Sequence, residues 1–433
     1  MWPELSSTER LEKLDRILMT GRTAEGDREL APFTEEVNNH VHTCYSFSPY
    51  TPSEVILKAR EAGLRAVGIM DHDSVSGARE FTDAGRRAKV ATTAGFELRV
   101  NADGTAIEGR KINNPDTKNI FYMAVHGIPA NRLPAADRFL QPIRKRRNLR
   151  NRSQVAKLGE ILRAVDLPEL SYDRDVVPIS MSGEGGSVTE RHILYALALL
   201  LEKKWGRGKG LLLKMKEAFG IEPGPKVRSY LEDPDNPHYL YDLLGPLKST
   251  LLPRFYIDPD KEECINVREA VEFAVSIGAV PAYAYLGDVV DSPTGDKKAE
   301  RFEDGYLDQL IPAMVDMGFR AVTYMPPRNT PAQLERIMRL CSQYGLMQIS
   351  GVDINSSRQS FHCSEIMDPR FSHLIDATWA LIAHESLSDK DPQAGLFSAA
   401  ALSSGGSLEE RIRTYAGIGR SMYSRCTKRR HNE

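Results

Sequence analysis

Asn39-His40-Val41-His42 decides how the rest of this chain is read. It opens what reads as a buried strand. Side chains on an extended backbone alternate faces, so two histidines one residue apart point the same way. Two imidazoles are then within reach of one cation. Three other segments repeat the theme of an apolar run that delivers a polar group. Ala66-Val67-Gly68-Ile69-Met70 leads into Asp71-His72-Asp73, and Thr92-Thr93-Ala94-Gly95-Phe96 leads into Glu97. Near the other end, Met347-Gln348-Ile349-Ser350-Gly351-Val352 leads into Asp353. Barrels and open α/β sheets place their chemistry at the carboxyl ends of strands. The reading is a metal site assembled from scattered strand ends.

Outward from these segments, strand and helix signals alternate. Thr51-Pro52-Ser53-Glu54 is a helix start and Gly63 a stop. A strand over 65–70 precedes a helix over 78–87, and further strands are predicted over 90–97 and 118–126. After a long interval the alternation resumes, with strands at 279–286, 319–325 and 347–354 and helices between them. The pattern argues for a parallel sheet, closed or open. The interval itself is helical, basic at first and then punctuated by proline. The expected organisation is a helical extension over 1–33, a first barrel part over 34–129 and a mainly helical insertion over 130–260. A second barrel part over 261–365 and a helical extension over 366–433 complete it.

Composition narrows the function classes. Of 433 residues, 41% are hydrophobic and 27% charged, the balance of an ordinary globular chain. Lys plus Arg (57) nearly cancels Asp plus Glu (59), so global charge gives no push toward nucleic acid or an anionic membrane. The cysteines, Cys44, Cys264, Cys341, Cys363 and Cys426, form no CxxC pair, which speaks against a disulfide framework or a thiolate zinc site. No apolar run is long enough to span a bilayer, and the start of the chain has no basic-then-apolar leader. The expectation is a cytoplasmic protein with no nucleic-acid or membrane partner, its oligomeric state open.

Imidazole nitrogen and carboxylate oxygen suit divalent zinc, manganese and iron. Several such ligands on one pole can activate a water and neutralise a phosphoryl or carbonyl oxygen. Each piece alone has a plainer reading: Asp73 as a helix N-cap, for instance, or Glu97 as a salt-bridge partner. Their order and their shared position at strand ends favour the functional one.

The ordered set Asn39-His40-Val41-His42-Thr43, Ile69 to Gly77, Gly95-Phe96-Glu97 and Ser350-Gly351-Val352-Asp353 resembles the polymerase and histidinol phosphatase (PHP) superfamily. Val188-Thr189-Glu190-Arg191-His192-Ile193 resembles the Arg-x-His signature of its phosphoesterase members, although here Arg and His are adjacent. The resemblance implies an α/β fold, a distorted (β/α)₇ TIM-like barrel, with up to three divalent ions and phosphate-ester hydrolysis. It implies His40, His42, Glu97 and Asp353 as core metal ligands and His72 as a further one. Arg191 and His192 would lie near the substrate phosphate, and Asp71, His72 or Asp73 would position water or move its proton.

The departures from the family pattern reduce the expected metal count below three. Ser46-Phe47-Ser48 stands where the family often has Ser-Asp-Gly, Asn119 where a histidine commonly opens a strand, Ala284-Tyr285-Leu286 for Ala-His-Pro, and Asp353-Ile354-Asn355 for Asp-x-His. Asn119, Tyr285 and Asn355 are weaker ligands than those they replace. His126 and His362 are candidates to compensate, with packing and surface roles as the plainer readings. The basic run Arg144 to Arg152 reads as a solvated helical face, with Arg147 a candidate to reach a substrate phosphate. The function read from these residues is a metal-dependent hydrolase (Mn, Zn or Fe) acting on a small phosphorylated molecule. The rivals are a hydrolase or lyase of a non-phosphate substrate on the same scaffold, and a non-catalytic ligand-binding protein.

Overall fold

Seven strands hydrogen-bond in the order in which the chain lays them down: β1 (Val37–Val41), β2 (Ala66–His72), β3 (Ala91–Asn101), β4 (Ile120–His126), β5 (Val280–Ala284), β6 (Ala321–Tyr324) and β7 (Met347–Ser350). The computed structural model describes residues 2–114, 117–288 and 302–429. The first and last strands meet just beyond their ends. His42 N donates to Ile354 O at 2.9 Å and Ile354 N to His40 O at 3.2 Å, which rolls the sheet into a barrel. The N-terminal part contributes α1 (Ser7–Thr20), α2 (Pro52–Glu61) and α3 (Ala78–Ala88), and the insertion opens with α4 (Leu133–Arg163). The insertion adds α5 (Glu190–Trp205), α6 (Lys209–Phe219), α7 (Pro225–Glu232), α8 (Tyr239–Thr250) and α9 (Leu252–Phe255). Beyond it come α10 (Val267–Ser276), α11 (Leu307–Asp316) and α12 (Pro331–Tyr344), and after β7 come α13 (Ser372–Ser388), α14 (Ala399–Ser403) and α15 (Leu408–Arg429).

The expectation of a parallel sheet needs one correction. β4 runs antiparallel to both β3 and β5, while the other neighbours are parallel. A parallel neighbour needs a crossover, usually a helix, and no helix lies among the described residues between β3 and β4. The chain therefore turns back at once, with Asn101 opposite Ile120. The start of β4, and not its end, faces the pole where β1, β2 and β3 finish.

Helix α13 closes the opposite pole. Its Ala377, Ala380 and Leu381 pack among Val280, Ala321 and Met347, the first residues of β5, β6 and β7. Asn39 Nδ2 donates to Thr378 Oγ1 at 2.8 Å, and Ala94 N donates to Glu385 at 2.8 Å. His384 sits in the same seal, its Nε2 2.8 Å from Gly278 O and its Nδ1 accepting from Leu396 N at 2.9 Å. The barrel opens toward the ends of its parallel strands.

The insertion has its own apolar core. Val155, Leu158 and Leu162 of α4 meet Leu194, Leu197 and Leu201 of α5, together with Leu211, Met215, Leu243, Leu247 and Phe255. Phe47, from the loop after β1, joins this cluster.

The basic run on α4 is not a solvated face. Arg144, Arg147 and Arg150 recur every third residue, so one stripe of the helix carries them all, and all three are buried. Arg147 pairs with Asp73 and, at 3.2 Å, with Glu190. Arg150 bonds Glu190 and Glu263, each at 2.6 Å, and Arg99 of β3 bonds Glu263 at 2.5 Å. Arg144 donates to Asp73 O at 2.9 Å and to Asp137 at 2.6 Å. This buried network bolts the insertion onto the barrel.

Candidate metal centre

β1 is irregular where its histidines begin. Its register against β2 shifts between Asn38 and Val41, the kind of bulge that re-aims side chains beside a site. Asn38 compensates by bridging to the tail of β7. Its Nδ2 donates to Val352 O at 2.8 Å, and its Oδ1 accepts from Val352 N at 2.9 Å and His40 N at 3.1 Å. Gly351 makes the join possible, because a Cβ there would lie 2.3 Å from Thr323 Oγ1 and 3.3 Å from the Cβ of His40.

Five of the side chains singled out in the sequence converge at the open pole. His40, His42 and Asp353 form one group of ligand atoms within 4.8 Å of one another, and His42, His72 and Glu97 form a second. His42 Nε2 is 3.3 Å from Asp353 Oδ1, and Glu97 Oε2 is 3.1 Å from His72 Nδ1 and 3.8 Å from His40 Nε2. The His40 and His42 ring centroids are 5.2 Å apart, and those of His42 and His72 4.7 Å. His72 is the last residue of β2, but Glu97 lies mid-strand, since β3 continues to Asn101, and Asp353 lies in the loop beyond β7. Three imidazoles and two carboxylates, in two groups that share His42, are a donor set that fits a borderline divalent ion.

The electrostatics keep these groups ready to ligate. Burial drives the His72 pKa down to about 3, so its imidazole is neutral. Burial works against the charge on Glu97, but His72 and His40 beside it outweigh this and hold the carboxyl below its usual range. Asp353 follows the same rule: burial opposes its charge, and the hydrogen bond to His42 prevails and holds it lower still. Burial likewise opposes protonation of His42, yet the bond to Asp353 raises its pKa. The Asp353 side chain is 41% exposed and that of His42 only 1%, so the aspartate is the member that opens onto the cavity.

Asp71 stands behind the histidines. Its Oδ1 accepts from Thr43 N at 2.6 Å and Ser46 Oγ at 2.7 Å, and its Oδ2 from Thr43 Oγ1 at 2.6 Å. Ser46 Oγ in turn lies 3.3 Å from His42 Nδ1. A ligand histidine is commonly oriented by such a contact through its second nitrogen. Asp71 therefore acts through Ser46, with both oxygens engaged.

A cavity of about 650 Å³ opens above the cluster. His40, His72, Glu97 and Asp353 form its floor, and its walls include Tyr122, Tyr285, Arg191, Lys248, Arg328 and His362. Arg191 Nη1 donates to Asn355 Oδ1 at 2.7 Å, and Asn355 Nδ2 donates to Asp353 Oδ1 at 2.8 Å. Of the candidates to compensate for lost ligands, His362 is on the rim, largely exposed and 3.8 Å from Glu36. The Tyr285 hydroxyl is spent on Asp304 at 2.5 Å.

The remaining candidates lie elsewhere. Asn119 donates to Asp103 at 2.6 Å and accepts from Gly109 N at 2.8 Å, in the loop before β4. His126 is at the far end of β4, because that strand is reversed. It is buried, its pKa is pushed down to about 3 by burial, and its Nε2 has no hydrogen-bond partner among the described residues. Asp73 and Arg147 are committed to each other inside the buried network. Asp73 is not a helix cap either, since the N-cap of α3 is Gly77. His192 turns away from the cavity: its Nδ1 accepts from Thr189 N at 3.0 Å as a cap of α5, and its ring stands 5.0 Å from Phe47. Burial takes its pKa down to about 3.

Sequence reasoning missed Tyr122, whose ring is 5.6 Å from that of His72. It also missed Asn113, which bridges β4 to β5 by donating to Tyr122 O at 2.8 Å and Ala284 O at 2.7 Å. The signal for Tyr122 was its place at the start of a strand, which matters only once that strand is known to be reversed.

Comparison with known proteins agrees with this geometry. Residues 38–163 match the PHP domain family. A stretch of 65 residues is 38% identical to an error-prone DNA polymerase of Mycobacterium tuberculosis, and 74 residues are 35% identical to one of Nocardia farcinica. These matches span 14% and 17% of this chain and 6% of each polymerase. Among solved structures, a Bifidobacterium adolescentis protein provisionally named a metal-dependent phosphoesterase superposes with a TM-score of 0.51 at 18% identity. The superposition covers 78% of this chain and 96% of that one, and it is a likeness of fold.

Proposed function

The chain belongs to the PHP superfamily, and from that premise we propose that it is a metal-dependent hydrolase of small phosphate esters. The observation that carries the proposal is the convergence of His40, His72, Glu97 and Asp353 at the floor of one cavity, with His42 buried between them and Arg191 on the wall. When bound there, a divalent ion supplies Lewis acidity, which makes water nucleophilic near neutral pH and polarises a phosphoryl oxygen.

The chain's own residues do the rest. Neutral His72 and ionised Glu97 and Asp353 offer lone pairs without first losing a proton. The relay from Asp71 through Ser46 fixes the tautomer and plane of His42. Arg191 presents a planar fork suited to phosphoryl oxygens. The wall residues Tyr122 and Tyr285 narrow the approach to a small molecule. Small phosphorylated compounds fit a cavity of about 650 Å³, which is in the range of small-ligand sites.

The test is a panel of phosphomonoesters and phosphodiesters, with amide and lactone substrates beside them, assayed with manganese, iron, zinc and cobalt. Phosphate release that needs added metal and disappears in His42→Ala is the expected result. Turnover confined to amides or lactones would overturn the substrate class, and no turnover with any metal would overturn the enzyme.

A further inference from the structure

The two ligand groups are not independent, because His42 belongs to both. Its Nδ1 faces Ser46 Oγ at 3.3 Å, which leaves Nε2 as the nitrogen turned toward the cluster. An imidazole nitrogen has one lone pair and ligates one ion. Asp353 Oδ1 is shared in a similar way: His42 Nε2 approaches it at 3.3 Å and the Asn355 amide at 2.8 Å. The far side of that amide accepts from Arg191 at 2.7 Å. The guanidinium lies 5.9 Å from the centroid of Phe47 and lines the same cavity as the ligands.

Resting on the reading above, we propose that the centre takes a single divalent ion and that Arg191 supplies the second fixed positive charge beside Asp353. The amide of Asn355 explains the geometry. It turns its donor end to the carboxylate and its acceptor end to the guanidinium, so one side chain orients both. Two cations sharing one carboxylate oxygen repel at short range, and the guanidinium is permanently charged. It is also rigidly based. Arg191 follows Glu190 in the first turn of α5, and Arg99, Arg147 and Arg150 all hold Glu190. A fork placed in this way can take two oxygens of a phosphoryl group. The centre then needs fewer metal ligands than a cluster of ions would.

The experiment measures metal content and inorganic phosphate binding, not turnover. Protein purified without chelator and reloaded with manganese or zinc is analysed by elemental mass spectrometry. Calorimetric titration with inorganic phosphate then compares wild type, Arg191→Ala and Arg191→Lys. One tightly bound equivalent of metal is expected in all three. Phosphate affinity is expected to fall about ten- to a hundredfold in Arg191→Ala. Arg191→Lys, which keeps the charge without the fork, should recover part of that loss and guards against a folding artefact. Two or more tightly bound equivalents in wild type would overturn this inference and leave the hydrolase standing. So would unchanged phosphate affinity in a one-metal Arg191→Ala protein. No bound metal at all would remove both.

Discussion

His42 Nε2 stands 3.3 Å from Asp353 Oδ1, one residue following the first strand and the other the last. The same contact completes a ligand group and sits where the barrel closes, since His42 N also donates to Ile354 O at 2.9 Å. The candidate metal centre is thus built on the seam of the sheet.

Removing the shared ligand should therefore disable both groups together. His42→Ala is expected to lose tight metal binding and all metal-dependent turnover while keeping its circular dichroism spectrum. A variant that still binds metal stoichiometrically would show that His42 is not a ligand.

Ser46 touches the cluster only through His42 Nδ1. Ser46→Ala should weaken metal affinity by about ten- to a hundredfold, as loss of an orienting partner does elsewhere. Competition with a chromogenic chelator measures it. An affinity equal to wild type would detach the Asp71 relay from the site.

The raised pKa of His42 gives metal binding a pH signature. The imidazole must be neutral to ligate, so protons compete below its pKa, and affinity should fall by about tenfold per unit as pH drops through that value. Because Asp353 raises the pKa, Asp353→Asn should move the onset to lower pH as well as weaken binding overall. In the metal-free protein the sign reverses. There the His42–Asp353 pair adds stability below the ordinary histidine pKa, and that stability is lost as pH rises through the raised value. Titrations of affinity and of denaturation midpoint against pH check the two halves separately.

Glu263 is the hub of the buried network, with Arg99 at 2.5 Å and Arg150 at 2.6 Å. Glu263→Ala leaves buried guanidinium charge uncompensated and should cost about 3–5 kcal/mol, read from urea denaturation. A loss under about 1 kcal/mol would mean that water reaches the network and screens it as it does a surface pair.

The strands were legible because apolar runs with polar ends announce themselves, and so was the clustering of the candidate ligands, because HxH, DHD and the lone Glu97 and Asp353 follow those runs. The direction of β4 was not legible: an alternating apolar pattern reads the same both ways, and only the missing crossover helix gave a hint. The error over Arg144, Arg147 and Arg150 had another source. Their spacing marks one face of a helix, but burial depends on Asp73, Glu190 and Glu263, which reach them only through tertiary structure. His192 shows the limit of motif reading, since adjacency to Arg191 turns its ring by about 100° around the helix, and it caps the helix it was expected to serve from.

The reversal of β4 has a consequence for how this barrel can change. The 102–119 connection leaves β3 and rejoins β4 on one rim, the rim that surrounds the cavity. The four parallel links, β1 to β2, β2 to β3, β5 to β6 and β6 to β7, must travel to the far pole and back over a docked helix, and the 127–279 link leaves and returns at the far pole. The 102–119 link stays at the mouth, where Ile107 and Ile112 are buried in the core and Asn113 ties β4 to β5, so a change in its length would reshape the rim of the cavity directly.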